Sequence, residues 1–448
     1  MHEIRDPIHG FVQYDDQERR VIDSRPFQRL RHIHQLGTSH LVYPGTSHKR
    51  FEHSLGVMHL ATRVFDVITD PERLSDGLRE LLPEVRSDDQ VRYWRRTLRM
   101  AALCHDLGHL PFSHAAEEKL LPDKWDHERL TVELIGSDEL GPIWADSPPL
   151  NPDEVAKLAV GPEKFGDKRP KNVEAILSEI ITGKAFGVDR MDYLIRDSLH
   201  AGVAYGKFDH YRLVDTMRIL EPLPYDGSES EEPTLGVEQG GLHAAEALLL
   251  ARYFMFAQVY FHRVRRAYDI HLQDFLEAWL PGGRFPVEID QFLGYTDNEV
   301  MSGMLQAAAE GDAEIATLAQ RVTAREHFRV VYEPSTEDSS RVLDPRAKVY
   351  EALCKEFDPQ LIREDHVGRD DDPENEPSGR PDFDFPVLLE EEIVSSTACS
   401  DVLDTIPEAT VDYVFVAPEL REKAKRWLAA NKDNILEVRG SDDNNAAL

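Results

Sequence analysis

Residues 104–109 read Cys104-His105-Asp106-Leu107-Gly108-His109, and they end a stretch from Val91 that mixes apolar and polar residues at helical spacing. Adjacent His and Asp side chains cannot face one way along a regular helix. Where the helix ends the chain turns, letting both reach one ion, and Gly108 supplies the freedom for that turn. An imidazole beside a carboxylate suits a first-row divalent metal: Mn, Fe, Zn, Co or Ni. Two further ligands are needed. His53, in Arg50-Phe51-Glu52-His53-Ser54-Leu55-Gly56, lies near a helix start, and Asp189 opens Asp189-Arg190-Met191-Asp192-Tyr193-Leu194. An H…HD…D set gives two imidazoles and two carboxylates, with positions left for water and a substrate oxygen. Asp189, Tyr193 and Asp197 are spaced i, i+4, i+8, so a carboxylate, a ring and a second carboxylate line one helical face. Taken singly, a His–Asp dipeptide is more often a surface or capping pair, and Asp189 reads equally as a helix N-cap. The four residues in their flanking context carry the assignment.

The 448 residues suffice for one large core with an appended lobe, or for two domains. Mean hydropathy is −0.46, and no apolar run approaches the roughly 18–20 residues that span a bilayer. The opening Met1-His2-Glu3-Ile4-Arg5 lacks the blocks of a signal peptide, so a soluble, cytoplasmic protein is expected. Cys104, Cys354 and Cys399 form no close pair, which argues against a disulfide framework or zinc knuckle. Cys104 reads as a small buried apolar residue beside the metal. The net charge of −32 repels phosphate backbones and disfavours sequence-independent nucleic-acid binding. With 37 arginines and only 14 lysines, the surface suits a high-salt cytosol. Full stability and activity without added salt would remove that hypothesis.

The spacing predicts a mainly α protein. Helices are expected over 25–35, 51–68, 91–104, 173–182, 189–199 and 242–278, and residues 1–220 read as mainly helical. Residues 1–330 form the expected catalytic core, with a Pro/Gly/Ser/Glu-rich surface loop or small hairpin at 222–240. Residues 331–448 form a smaller α+β lobe, with strands at 330–332 and 411–416 and a helix at 418–431. Within it, 364–385 is acidic and Pro-rich and reads as a mobile loop, and the tail 440–448 as loose.

At this point the chain resembles the HD-domain deoxynucleoside triphosphate triphosphohydrolases, the branch of the vertebrate SAM- and HD-domain dNTPase and its prokaryotic relatives. The matching stretches are DPIHG at 6–10, FQRLRHIHQLG at 27–37, YPGTSHKRFEHSLGV at 43–57, HDLGHLPFSHA at 105–115, VDRMDYLIRD at 188–197 and VRRAY at 264–268. Beyond about residue 330 the likeness is thin. The resemblance implies cleavage of a dNTP, with Mg on its phosphates, to a deoxynucleoside and inorganic triphosphate. It implies a metal at His53, His105, Asp106 and Asp189. His114 with Glu117 matches the family's histidine–carboxylate pair, and His127 a further catalytic histidine; one histidine protonates the leaving 5′ oxygen. Arg50, His109 and Arg190 match phosphate-contacting positions, Arg190 standing where relatives have lysine. Gln35 and Leu36 match residues beside the sugar. Tyr193 fills the space of a ribose 2′-OH, Asp197 binds the 3′-OH, and Arg266 and Tyr268 border the sugar and base. Asp269 stands where the vertebrate enzyme has glutamine, which leaves base selectivity open.

In regulated relatives, nucleotides bind between subunits and assemble a tetramer. Asp23, Gln28 and Arg31 match the guanine-reading residues, Arg325 and Arg329 a triphosphate-binding pair, and Arg212 lies in the same region. The resemblance thus implies a GTP or dNTP activator and a homo-oligomer. His2 replaces a lysine and Thr216 an aromatic, which puts that site in doubt. The plainer readings stay open: Asp23 capping a helix, Arg31 in a surface ion pair, His109 and His114 as satisfied helix-end histidines, and Tyr193 and Tyr268 as core rings. Three other functions compete: another phosphohydrolase on the same site, acting on nucleoside monophosphates, cyclic nucleotides or pyrophosphate esters; a non-catalytic nucleotide sensor; and a nuclease.

Overall fold

The computed structural model describes residues 1–113, 117–145, 150–167, 170–221, 233–367, 384–407 and 409–437. It is mainly α, as the sequence predicts, with three small sheets among the described residues. Helix Arg50–Ile68 begins where Glu52 accepts a hydrogen bond from the Lys49 amide at 2.8 Å. It buries Phe51, Leu55, Met58, Phe65 and Ile68 on its inner face. That face packs along helix Asp88–Cys104, whose start is capped by Ser87 and whose first turn carries Asp88 and Asp89. Helix Val188–Ala201 packs on Arg50–Ile68 and ends at Gly202, whose φ of 71° is left-handed. These three helices deliver all four expected ligands.

The first strands are a hairpin, β1 (His2–Asp6) and β2 (Gly10–Tyr14), where the sequence reads as helical. Each strand is five residues long with little hydrophobic alternation, so periodicity gives no signal there. Asp6 builds the turn, accepting from the Ile8 and His9 amides at 2.8 Å each. The 25–35 segment is one short helix, Arg25–Arg29, followed by a 3-10 turn at Leu30–His32. The expected 242–278 helix is two, Leu242–Met255 and Arg263–Trp279, joined by a π-helical turn at Phe256–Tyr260.

Strands β3 (Met217–Leu220) and β4 (Thr234–Glu238) are antiparallel. The surface insert expected at 222–240 is therefore corrected in part: Leu235 and Val237 are buried in β4, and 222–232 lie outside the described residues. Strand β5 (Arg329–Tyr332) and strand β6 (Ile362–Val367) belong to the appended lobe, which also holds helices Pro345–Glu356 and Arg421–Ile435. Strand β7 (Pro386–Leu389) runs parallel to β4 and pairs with β8 (Glu392–Ser395), giving the order β3-β4-β7-β8. Strand β9 (Val411–Val416) is central in the lobe sheet, β5-β9-β6.

The expected loop 364–385 also needs correction. Glu364 to Val367 complete β6, Phe385 is buried in the main core, and 368–383 lie outside the described residues, as does the tail 440–448. Phe385, Val387 and Leu403 pack with the main core, whereas Tyr332, Val349, Leu353, Val414 and Leu428 form a core of their own. A cut at residue 330 thus misses that the chain returns to the first core at about 384–406.

Gly56 sits inside helix Arg50–Ile68, where glycine is unfavourable by about 1 kcal/mol relative to alanine. A Cβ at this position would collide with the Asp192 carboxylate and the Arg196 guanidinium. We predict that Gly56→Ala, despite its better helix propensity, destabilises the protein by roughly 1–3 kcal/mol in denaturant unfolding. A neutral or stabilising result would show that this close approach is not limiting.

Candidate metal centre

His53 and Asp189 each lie in the first turn of their helix, and His105 closes helix Asp88–Cys104. His53 Nε2 is 2.9 Å from Asp189 Oδ1 and 3.7 Å from Asp106 Oδ2; His105 Nε2 is 3.4 Å from Asp106 Oδ1 and 3.6 Å from Asp189 Oδ1. The ligand atoms of His53, His105 and Asp189 lie within 4.8 Å of one another. The turn does not use Gly108 as expected. Gly108 has no left-handed backbone; its missing side chain lets the His127 carbonyl and the Thr131 amide approach, so helix His127–Ile135 packs directly on the ligand loop.

Two tautomers fit the donor set to a divalent cation. His105 Nδ1–H donates to the Ala102 carbonyl at 2.8 Å, which turns the Nε2 lone pair inward. That Nε2 is buried without a hydrogen-bond partner. His53 Nδ1–H donates to Asp192 Oδ2 at 2.8 Å, so its Nε2 also faces Asp189 and Asp106. Burial opposes ionisation of Asp189, but the neighbouring His105 and His53 imidazoles outweigh it and hold the carboxyl below its usual range. For Asp106, burial is likewise outweighed, chiefly by Arg50. Burial would lower His53, yet Asp189 and Asp192 raise it to about 10. Burial pushes the Cys104 thiol up, so it stays protonated, consistent with a small apolar residue beside the site.

Behind the ligands stands a group that the sequence reading did not single out. Asp192 is buried and accepts from His53, from His9 Nε2 at 2.7 Å, and from Arg196 at 2.8 and 2.9 Å. Arg196 in turn donates to Asp6 at 2.9 Å. The i, i+4 spacing of Asp192 and Arg196 was a signal available in the sequence, as was the matched 6–10 stretch. The DPIHG turn is thereby fastened to the ligand helix.

The phosphate side lies across Asp106. Arg50 donates to Asp106 at 2.5 Å and to Ser113 Oγ at 3.0 Å, and His109 Nε2 is 3.1 Å from Asp106 Oδ1. The His109 and His127 rings stack at 4.2 Å. Their environments push them apart: burial, Arg50 and His127 hold His109 well below its usual value, while for His127 burial is outweighed by Glu117, 2.5 Å from Nδ1. Of the two, His127 is the one favoured for holding a proton. Glu117 meets His127, and the expected pairing of Glu117 with His114 falls on a residue outside the described ones. Asp297 braces this loop, accepting from the Phe112 amide at 2.7 Å, where Phe112 and Ser113 hold positive φ of 59° and 60°.

On the sugar side, Gln35 and Leu36 are each 8% exposed, and Gln35 Oε1 has no hydrogen-bond partner. Asp197 is buried with both oxygens engaged, by His48 Nε2 at 2.7 Å and by Tyr260 OH at 2.7 Å. The π-helical turn places Tyr260, whose ring meets Tyr193 edge-on at 6.1 Å. Tyr268 is fully buried, its hydroxyl has no hydrogen-bond partner among the described residues, and its ring contacts His327 at 4.5 Å. Two arginines are turned elsewhere. Arg190 donates to the Gly183 carbonyl at 2.9 Å and to that of Lys184, at the rim of a cleft of about 1070 Å³ that Asp189 also lines. Arg266 is clamped by Asp365 of the lobe at 2.7 and 2.8 Å.

Of the regulatory candidates, Asp23 is exposed, caps the C-terminus of helix Asp16–Ile22 and pairs with Arg19 at 3.3 Å. Arg31 donates to Gln28 at 2.9 Å and lies over the Phe51 ring. Arg325 donates to the Leu41 carbonyl at 2.9 Å and lies 5.9 Å from the Tyr268 ring centre, and Arg329 bonds His327. Arg212 donates to the Gly240 carbonyl at 2.9 Å.

Removing the charge behind His53 should loosen the metal. We expect Asp192→Asn to lower divalent-metal affinity roughly 10–100-fold, read as metal content after dialysis; unchanged content would show that the ligand needs no such support. Because the His53 pKa is raised from 6.5 to about 10, its proton stabilises the metal-free fold fully below 6.5, and that stabilisation is lost as pH rises towards 10. Metal must displace this proton, so metal affinity should fall on acidification. Calorimetry at pH 7 in buffers of different ionisation enthalpy should show about one proton released.

Models of two protein regions match the chain: the HD domain over residues 50–196 and the HD associated region over 208–442. The chain is 30% identical to the human deoxynucleoside triphosphate triphosphohydrolase SAMHD1 over 388 residues, 79% of this chain and 58% of that protein. It is 36% identical to the uncharacterized protein YwfO of Bacillus subtilis over 275 residues, 61% of this chain and 54% of that protein. The chain thus spans little more than half the length of these relatives. A crystal structure of a hypothetical protein from Aquifex aeolicus superposes with a TM-score of 0.75 at 31% identity, covering 95% of this chain and 99% of that one. The ligand cluster falls inside the matched HD region, the associated region spans over half of the chain downstream of it, and the chain belongs to the HD-domain phosphohydrolase family that includes SAMHD1.

Proposed function

We propose that the chain is a cytoplasmic, metal-dependent dNTP triphosphohydrolase, cleaving a dNTP between the 5′ oxygen and the α-phosphorus. The observation that carries this reading is the H…HD…D cluster set directly against the oppositely tuned His109–His127 pair. A bound divalent cation, Mn, Fe, Zn, Co or Ni, supplies Lewis-acid polarisation of an α-phosphate oxygen. Arg50, ionised beside Asp106, faces the same region and offsets phosphate charge. His127, kept protonated by Glu117, gives its proton to the departing 5′ oxygen. His109, held neutral, does not compete for that proton, and its single N–H reaches a phosphate oxygen only by leaving Asp106. His114, outside the described residues, matches the family's histidine beside the α-phosphate. Tyr193 excludes a 2′-OH, and Asp197, fixed by His48 and Tyr260, has a lone pair on each oxygen for the 3′-OH. Gln35 and Leu36 border the sugar and Tyr268 the base, while Arg190 and Arg266 reach substrate only by leaving their present carboxylate or carbonyl partners.

Product analysis with metal-reconstituted protein and a dNTP panel, supplied with Mg, tests the reaction. Deoxynucleoside plus intact triphosphate is expected, and His105→Ala should abolish both. Release of phosphate or pyrophosphate instead would identify another HD phosphohydrolase on the same centre. The rate should fall as pH rises through the elevated His127 pKa, and Glu117→Gln should move that limb down by about one pH unit.

Regulation is the second part of the proposal. Asp23, Gln28 and Arg31 present an acceptor and donors at the surface, and Arg212, Arg325 and Arg329 supply charge for a triphosphate, so GTP or a dNTP would join subunits of a homo-oligomer. Added GTP should shorten the elution volume and raise the rate together. A rate and an elution volume both indifferent to nucleotide would remove this part.

A further inference from the structure

Arg92, Arg95, Arg96 and Arg99 are spaced i, i+3, i+4, i+7, so they form one stripe on helix Asp88–Cys104. Like charges at these spacings oppose helix formation. The stripe is conspicuous in a chain of net charge −32. It forms one wall of a cleft of about 880 Å³, which Arg63 of helix Arg50–Ile68 lines as well, with Phe11, His59 and Tyr93 between the cations. Acids hold some of these guanidiniums in place. Asp66 engages Arg95 at 2.6 and 2.9 Å, Glu18 engages Arg99 at 2.5 and 2.9 Å, and Asp89 engages Arg92 at 2.5 Å. Among the described residues Arg63 has a distant pair with Asp215 at 3.8 Å and lies 4.7 Å over the Tyr211 ring. Arg96 has no ion pair or hydrogen bond among the described residues, and its Nε is buried without a partner. Five guanidiniums thus meet three carboxylates that bond them directly, with Asp15 also on the cleft wall and Asp215 distant, and a guanidinium carries five N–H donors, more than these acids consume on Arg92 or Arg95. His59 adds no charge: burial, with His9, Arg63 and Arg99 beside it, lowers it to about 4.

From this arrangement we infer that the cleft is a binding site for a compact polyphosphate, separate from the metal centre and from the regulatory residues named above. Forked guanidiniums on successive helical turns match a chain of phosphates, each with several acceptor oxygens. The negative surface elsewhere excludes a long polyanion. The ligand is inorganic polyphosphate or the phosphate chain of a nucleotide. The cleft is tied to the metal centre twice: the stripe's helix ends at His105, and His59 stacks at 5.0 Å on His9, which bonds Asp192 behind His53.

Calorimetric titration with inorganic triphosphate, and in a parallel arm with GTP, tests this without reference to any reaction. The full chain should bind at least one of the two, His105→Ala should keep that binding, and Arg92→Glu with Arg96→Glu should weaken it at least about tenfold. Binding of both probes would show that the phosphates alone are read, and of GTP alone that the base is read too. Arg96→Ala breaks no native bond, so it should fold normally, raise the thermal midpoint of the ligand-free protein by removing repulsion, and reduce the ligand-induced rise in that midpoint. Absence of binding by both probes, or binding unchanged in the folded Arg92→Glu/Arg96→Glu variant, overturns the inference.

Discussion

Asp192 carries a charge in a place that water does not reach, and the surrounding architecture settles that charge with three side chains. His53, His9 and Arg196 each donate to it, and Arg196 is shared with Asp6. A buried carboxylate without partners is costly, and loss of one partner from a buried pair typically costs about 3–5 kcal/mol. The network therefore fixes three separate pieces of chain against each other: the N-terminal hairpin, helix Arg50–Ile68 and helix Val188–Ala201. The ligand atoms of His53 and Asp189 lie 2.9 Å apart because their two helices share this anchor.

The same logic of charge against charge divides the labour of the site. Asp106 stands between Arg50 and His109, and His109 stacks on His127, whose proton affinity Glu117 raises. Two rings of one chemical type, in face-to-face contact, are thus pushed in opposite directions by their neighbours, His109 down and His127 up. Arg29 supports this from behind, donating to the His109 carbonyl at 2.8 Å from a fully buried position that lowers its own pKa to about 9.

The ligand set was legible in the sequence because metal ligation demands particular residue types at helix ends, and the flanking stretches are distinctive. Long amphipathic helices such as Arg50–Ile68 and Asp88–Cys104 were legible for the usual reason of period. The hairpin at 2–14 was not, since two five-residue strands carry too few alternations. Strand β4 was hidden because its apolar residues follow a polar, Pro-rich stretch, and its partner β7 lies some 150 positions downstream. Long-range pairing leaves no local trace. His48 and Tyr260 were missed likewise: nothing near either residue says that both converge on Asp197. Gly108 was read as a flexible turn, but it answers to the backbone of another helix.

The π-helical turn at Phe256–Tyr260 holds one residue more than an α-helical path between the same ends would need. Deleting a single residue there would return the segment to regular winding and rotate Tyr260 by about 100° about the helix axis. Its hydroxyl would swing off Asp197 while Arg263–Trp279 kept its own hydrogen bonds. The surplus residue thus acts as a phase shifter, setting the angular registry of one aromatic ring independently of the long helices on either side.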